Sequence, residues 1–239
     1  MMHLPRTVGL ILAGGRSRRM QGRDKALLTF QGKTLLAHVI RCLRPQVDAL
    51  ALNSNAAPDS FAAYGLPVLP DLRPGFLGPL AGIHAGLMQF PDDYLVTVAV
   101  DLPFLPPDLV TRLRAGLGTK SCVYASDAER RPPWMAEVRE TQEQFSRHAL
   151  ALLWRPGVAA SVEDYLQRGG RSLKEFLAEH GDAVRFDQPQ DRGLFCNLNT
   201  PEDLARAARD VELLVITSAT EEHRQVLERV GWVERSVTH

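Results

Sequence analysis

The chain has 239 residues, of which 45% are hydrophobic and 23% charged, enough apolar material for one substantial core without disulfide or metal staples. Lys plus Arg and Asp plus Glu both number 28, so no overall field draws the protein to nucleic acid or to a membrane surface, and any anion site has to be built locally. Cys42, Cys122 and Cys196 are odd in number and never in C-x-x-C spacing, which argues for reduced, packed thiols in a cytoplasm and against a structural zinc site.

No apolar run approaches the roughly 20 residues of a membrane helix. Val8–Ala13 is too short for a secretory h-region and runs into arginines, so the chain is expected to stay in the cytoplasm. Val8–Leu12 reads as a strand, and it opens into the loop "AGGRSRRMQGRDK". Thr34–Leu43 carries Leu35, Leu36, Val39, Ile40 and Leu43 at helical spacing. Ala49–Leu52 is a second strand, ending in "NSN". Pro79–Phe90 sets Leu80, Ile83, Leu87 and Met88 on one helical face, with Pro79 suited to the first turn. Tyr94–Val100, "YLVTVAV", is a third strand that ends at Asp101. This alternation predicts a parallel sheet covered by helices on both faces, with ligands beyond the carboxyl ends of the strands. Gly14, Gly15, Asn53, Asp71 and Asp101 each follow an apolar run and would gather at that edge.

The second half is less regular. "ASDAERRPPWMAEV" reads as a charged turn between two short strands, and Phe145, Ala149, Leu152 and Leu153 as a helix. Ser161–Leu166 and Ser172–His180 are expected to be helices and Ala183–Phe186 a strand. Thr200 followed by "PED" is a helix start, with a threonine cap, proline at the first position and acids facing the dipole. No repeat or linker interrupts the chain, so one domain is the economical reading.

A glycine-rich turn between strand and helix lets backbone N–H groups approach phosphate oxygens, and flanking cations neutralise their charge. "GGRSRRMQGRDK" matches neither the dinucleotide fingerprint nor the P-loop. Asp101, at the end of an apolar strand, suits a magnesium ion that bridges phosphates; with Pro103, Pro106 and Pro107 following, it equally suits a turn. Gly75, Gly78 and Gly82 in "GFLGPLAGI" permit either close backbone approach to a ligand or tight helix packing. His38, His84, His148, His180 and His223 form no metal-binding pattern and have no evident carboxylate partner, and Trp134 and Trp154 read as packing residues.

Together, "LILAGGRSRRMQGRDKALL", "LPVLPDLRPGFLGPLAGIHAGL", "VAVDLPFLPPDL" and "NLNTPEDL" resemble the molybdenum cofactor guanylyltransferases of the nucleotidyltransferase superfamily, over about residues 5–208. The resemblance implies a Rossmann-like three-layer α/β sandwich of the nucleotide-diphospho-sugar transferase type. It divides the chain into a nucleotidyltransferase domain, 1–208, and a C-terminal extension, 209–239. The implied reaction moves GMP from GTP to molybdopterin carrying molybdenum, with release of pyrophosphate. Leu12, Ala13, Gly14, Gly15, Lys25, Asn53, Asp71, Gly78 and Asp101 match nucleotide positions. Lys25 and Arg19 would neutralise the triphosphate and Asp101 would hold magnesium. Asn197 and Asn199 fall near the metal and the second substrate, and Arg16, Arg18 and Arg19 either face the pterin phosphate or are solvated. Asp71 could accept from N1–H and N2–H of guanine together, although Asp71 and Asn53 also suit local turn chemistry.

The pattern departs from the family at Gln21, which displaces the usual glycine to Gly22, and at the apolar pair Val100 and Leu102 around Asp101. It departs again in the extension, where "VELLVI", a Ser218/Glu221 capping box and a face of Val226, Leu227 and Val230 could cover the core, self-associate or meet a delivery partner such as a molybdoenzyme or its chaperone. A cytidylyltransferase for the same pterin, a sugar-phosphate nucleotidyltransferase and a GTP-binding carrier or regulator are the alternative readings.

Overall fold

The computed structural model describes residues 4–14, 24–73, 78–126, 150–188, 191, 194–195, 197–200, 202–205 and 207. The predicted elements of the first half form with small shifts of boundary. β1 (Thr7–Leu12) leads to a short 3-10 turn at Lys25–Leu27 and a two-stranded ribbon, β2 (Thr29–Phe30) and β3 (Lys33–Thr34). Next come α1 (Leu35–Leu43), β4 (Ala49–Asn53), β5 (Val68–Leu69), α2 (Pro79–Gln89), β6 (Tyr94–Ala99) and α3 (Leu109–Ala115). The remaining elements are β7 (Cys122–Ser126), β8 (Ala151–Trp154), α4 (Ala159–Gln167), α5 (Leu173–His180) and β9 (Gly181–Arg185).

A seven-stranded sheet runs β5-β4-β1-β6-β8-β7-β9. All its pairings are parallel except those of β8, which runs antiparallel to β6 and β7. Strand order reverses between β1 and β6, because the chain moves outward through β4 and β5 and then returns to β6 on the other side of β1. In open α/β sheets such a reversal leaves a crevice at the carboxyl ends of the strands, where ligands bind.

The helices lie on both faces, as the alternation of strand and helix predicts. Leu36 and Val39 of α1 and Leu109 and Leu113 of α3 join Ile11, Val96 and Leu153 in one buried cluster. Leu80 and Ile83 of α2, Val162 of α4 and Phe176 of α5 join Leu10, Leu95 and Trp154 in the other. Neighbouring residues along β1 and β8 thus point to opposite layers, which is the two-residue period of a strand buried on both sides.

One expected helix is corrected. Leu152 and Leu153 lie in β8, with Leu152 opposite Thr97 and Leu153 opposite Val96; Phe145 and Ala149 lie outside the described residues. A short, wholly apolar run such as "ALLW" has no periodicity of its own to separate strand from buried helix, and pairing on both sides decides it. The charged stretch after Ser126 is also outside the described residues, as is the extension.

Trp154 packs, as the sequence suggests, and its indole N–H donates to Thr97 Oγ1 at 3.0 Å. Cys42 and Cys122 are buried and unbridged; burial pushes the Cys122 thiol up to about 12, so it stays protonated and inert. Among the described residues, no helix is long and apolar enough to cross a membrane.

Candidate active site

Four strand ends bring the site residues to one edge. Leu12 is opposite both Asn53 of β4 and Ala99 of β6, and the Ala13 N–H donates to Asn53 O at 2.9 Å. The Val100 N–H donates to Leu12 O at 3.1 Å, so the ladder carries on to the threshold of Asp101. Val100 and Leu102, the two apolar departures from the family pattern, are buried. They anchor the turn on either side of Asp101 and leave its carboxylate at the edge.

Lys25 is presented by the 3-10 turn that follows the arginine loop. Asp24 caps that turn, accepting from the Ala26 N–H at 2.9 Å, and Ala26 is fully buried. Lys25 is thereby placed to donate to Asp101 Oδ2 at 2.7 Å and to Asn199 Oδ1 at 2.5 Å. Asn199 arrives from the far end of the chain because the Leu198 N–H donates to Asp101 O at 3.0 Å. Thr200 caps the following helical turn as expected: its Oγ1 accepts from the Asp203 N–H, while Asp203 Oδ2 accepts from the N–H groups of Thr200 and Asn199. This reciprocal pairing fixes the segment that carries both asparagines.

Asp101 Oδ1 has no hydrogen-bond partner among the described residues, and neither has Oδ1 of Asn197, two residues before Asn199 in the chain; both atoms are buried. Buried oxygens left without donors suit a hard cation. Among the described residues no group of three or more His, Cys, Asp or Glu side chains gathers.

On the other side of β1, Asn53 is buried and forms a small polar frame. Its Nδ2 donates to Leu69 O and to Asp71 Oδ1, each at 3.0 Å. Asn55 makes a second pair with Asp71, donating from Nδ2 to Oδ2 at 2.8 Å and accepting from the Asp71 N–H at 2.9 Å. The Asn53 amide oxygen faces Gly82, where an added Cβ would lie 2.0 Å from it, and Gly14, where the separation would be 3.3 Å. Gly82 therefore makes room for Asn53, which is the packing alternative. Gly78 has φ +72° and ψ −165°, a conformation essentially restricted to glycine, and turns the chain into α2 ahead of Pro79. Gly15, Arg16, Arg18, Arg19, Gln21, Gly22 and Gly75 lie outside the described residues.

The profile of a family described as "MobA-like NTP transferase domain" matches residues 9–184. The chain belongs to the MobA-like NTP transferase family. The molybdenum cofactor guanylyltransferase of Yersinia pestis (strain Pestoides F) is 40% identical to it over 200 residues, 83% of this chain and 93% of the relative. The relative of the same name from Yersinia pseudotuberculosis serotype O:1b matches with the same identity and coverage. Among solved structures, molybdopterin-guanine dinucleotide biosynthesis protein A from Archaeoglobus fulgidus superposes with a TM-score of 0.64 at 23% identity, covering 86% of this chain and 99% of that one. Rv0371c from Mycobacterium tuberculosis gives 0.61 at 17% identity, with 87% and 100% covered. These structural neighbours support the fold.

This MobA-like transferase thus joins Lys25, Asp101 and Asn199 in one cluster and Asn53, Asp71 and Asn55 in another. Asn55 escaped sequence reasoning; the only signal was its place in "NSN" just beyond a strand end. His84 is likewise corrected: it has a carboxylate neighbour, with Nε2 2.9 Å from Glu163 Oε2.

Gly82→Ala in this transferase is expected to lower the melting temperature by roughly 5 °C, because the new methyl displaces an Asn53 side chain that is buried and pinned on its nitrogen. A thermal melt checks it. An unchanged melting temperature means that Asn53 turns aside freely.

Proposed function

We propose that this chain transfers GMP from GTP to the terminal phosphate of molybdopterin carrying molybdenum, in the cytoplasm. A phosphate oxygen of the pterin attacks the α-phosphorus of GTP, the bond to the β-phosphate breaks, and pyrophosphate leaves with both electrons of that bond. The observation that carries this reading is the Lys25–Asp101–Asn199 cluster at the carboxyl end of β6, with a second Asp101 oxygen left without a donor. No side-chain nucleophile is required, because such transfers depend on positioning and charge stabilisation.

Asp101 would hold magnesium, with the unpartnered Asn197 oxygen as a candidate second ligand, and the ion would supply charge neutralisation for the phosphates. Lys25 would give up part of its contact with Asp101 to meet the triphosphate, and Arg19 would add a second cation. The backbone of Leu12, Ala13, Gly14 and Gly15, with Gly78 across the crevice, would line the nucleotide. Asn197 and Asn199 would border the pterin side. In this reading residues 1–208 make the catalytic domain, and 209–239 are an extension open to a molybdoenzyme or its chaperone.

Asp71 would select the base. Its two oxygens accept from Asn53 and Asn55 and each retains a further lone pair, so guanine N1–H and N2–H can be met together. Cytosine offers no such pair. Asp71→Asn is expected to reduce the GTP-over-CTP ratio of kcat/KM by about tenfold to a hundredfold; an unaltered ratio removes Asp71 from base selection.

The function is tested by magnesium-dependent pyrophosphate release from GTP and from CTP, each with and without molybdenum-loaded molybdopterin. Release with GTP that requires the acceptor supports the reading. Release with CTP moves it to the cytidylyl reaction. GTP binding with no release, in the presence of a competent acceptor, leaves a carrier.

A further inference from the structure

The segment that carries Asp71 is weakly held by the sheet. β5 is only Val68–Leu69, it lies at the sheet edge, and it pairs with β4 through two residues. Leu72 beyond it is exposed. Asn53 and Asn55 fix Asp71 from the β4 side, and two residues later Arg73 meets Glu163 of α4.

Glu163 is itself held from its own helix. Gln167, one turn further along α4, donates to its Oε1 at 2.8 Å. His84 of α2, 4% exposed, has Nε2 2.9 Å from its Oε2, a contact without hydrogen-bond geometry, and neither atom has a hydrogen-bond partner among the described residues. Val162 and Leu166 seat α4 in the core beside Ile83 of α2. The Arg73 guanidinium then donates to Glu163 Oε1. Burial pushes the His84 pKa down, leaving the ring neutral near pH 7, and Arg73 is the main cause holding the Glu163 carboxyl below its usual range. Among the described residues the carboxylate is therefore paired with the charge of Arg73.

We propose that Glu163 is a positioning residue for the nucleotide: through Arg73 it clamps the Asp71 segment to the α2–α4 layer, so that a loop with little backbone pairing presents Asp71 at a fixed place. This rests on the reading above in which Asp71 contacts the base. Ninety residues separate Arg73 and Glu163, so the second half of the chain steadies a site built from the first.

The test is direct titration of a fluorescent GTP analogue with magnesium, without acceptor, together with steady-state kinetics and thermal melts. Glu163→Ala and Arg73→Gln are each expected to weaken binding and raise the KM for GTP by about tenfold, the scale of a charged hydrogen bond discounted for solvent, with kcat within about threefold of wild type. The double variant is expected to be no weaker than either single one. Arg73→Gln keeps the experiment decisive should Glu163→Ala fold poorly, since Arg73 is partly exposed. Binding and KM unchanged in Arg73→Gln, or a loss confined to kcat or melting temperature, overturns the positioning role alone. Wild-type protein that does not bind the analogue overturns the nucleotide reading and this inference with it.

Discussion

Asp101→Ala is expected to lower GTP-dependent pyrophosphate release by at least about a hundredfold, with the folded protein melting within a few degrees of wild type. The large effect follows from the two oxygens of Asp101 having separate tasks. Oδ2 accepts from Lys25 at 2.7 Å, while Oδ1 is buried and has no donor among the described residues. Truncation would remove both the proposed cation ligand and the group that aims Lys25. The small effect on stability follows because both partners of the Lys25–Asp101 pair are partly solvated, with side chains 19% and 16% exposed, and Lys25 keeps Asn199. Asp101→Asn separates the tasks: it keeps an acceptor for Lys25 but lacks the charge a magnesium ion needs, so it is expected to lie close to alanine in activity. Wild-type turnover in either variant would remove Asp101 from the reaction.

Lys25→Met is expected to lose turnover by about a hundredfold to a thousandfold, with kcat falling more than the affinity for GTP. The ammonium sits between Asp101 and Asn199 in the described structure, and pyrophosphate departure develops charge that only a nearby cation offsets. Lys25→Arg is not expected to restore the rate, because a planar guanidinium cannot take the compact place between two oxygens 2.7 and 2.5 Å from Nζ. Removing the ammonium also frees Asp101 Oδ2, so manganese titrated into nucleotide-free Lys25→Met protein is expected to bind several-fold more tightly than into wild type. Equal manganese affinity in the two proteins would mean that Lys25 and the metal do not share Asp101.

Much of the candidate site was legible because its residues stand at strand ends. An apolar run that stops at Asn53 or Asp101 announces both the strand and the polar group at its edge, and a parallel sheet brings such groups to one side. The cap at Thr200 and the proline-led start of α2 are written in adjacent residues in the same way. β8 was misread for the opposite reason: "ALLW" is too short and too uniformly apolar to carry a period. Asn55 and Glu163 had no local mark at all, since an asparagine after a strand and a glutamate on a helix are ordinary residues until a partner arrives.

The sequence by itself determined the layered α/β class, the order of the first-half elements, the glycine and lysine loop after β1, and the family to which the motifs belong. Only the tertiary structure decided that Lys25 meets Asp101 across 76 residues and Asn199 across 174, that Gly82 yields its side-chain space to Asn53, and that α4 holds Arg73. Local patterns report which face of an element is buried and where it stops. Which elements become neighbours depends on the strand order and on helices packing over it, and those are set by the whole core at once.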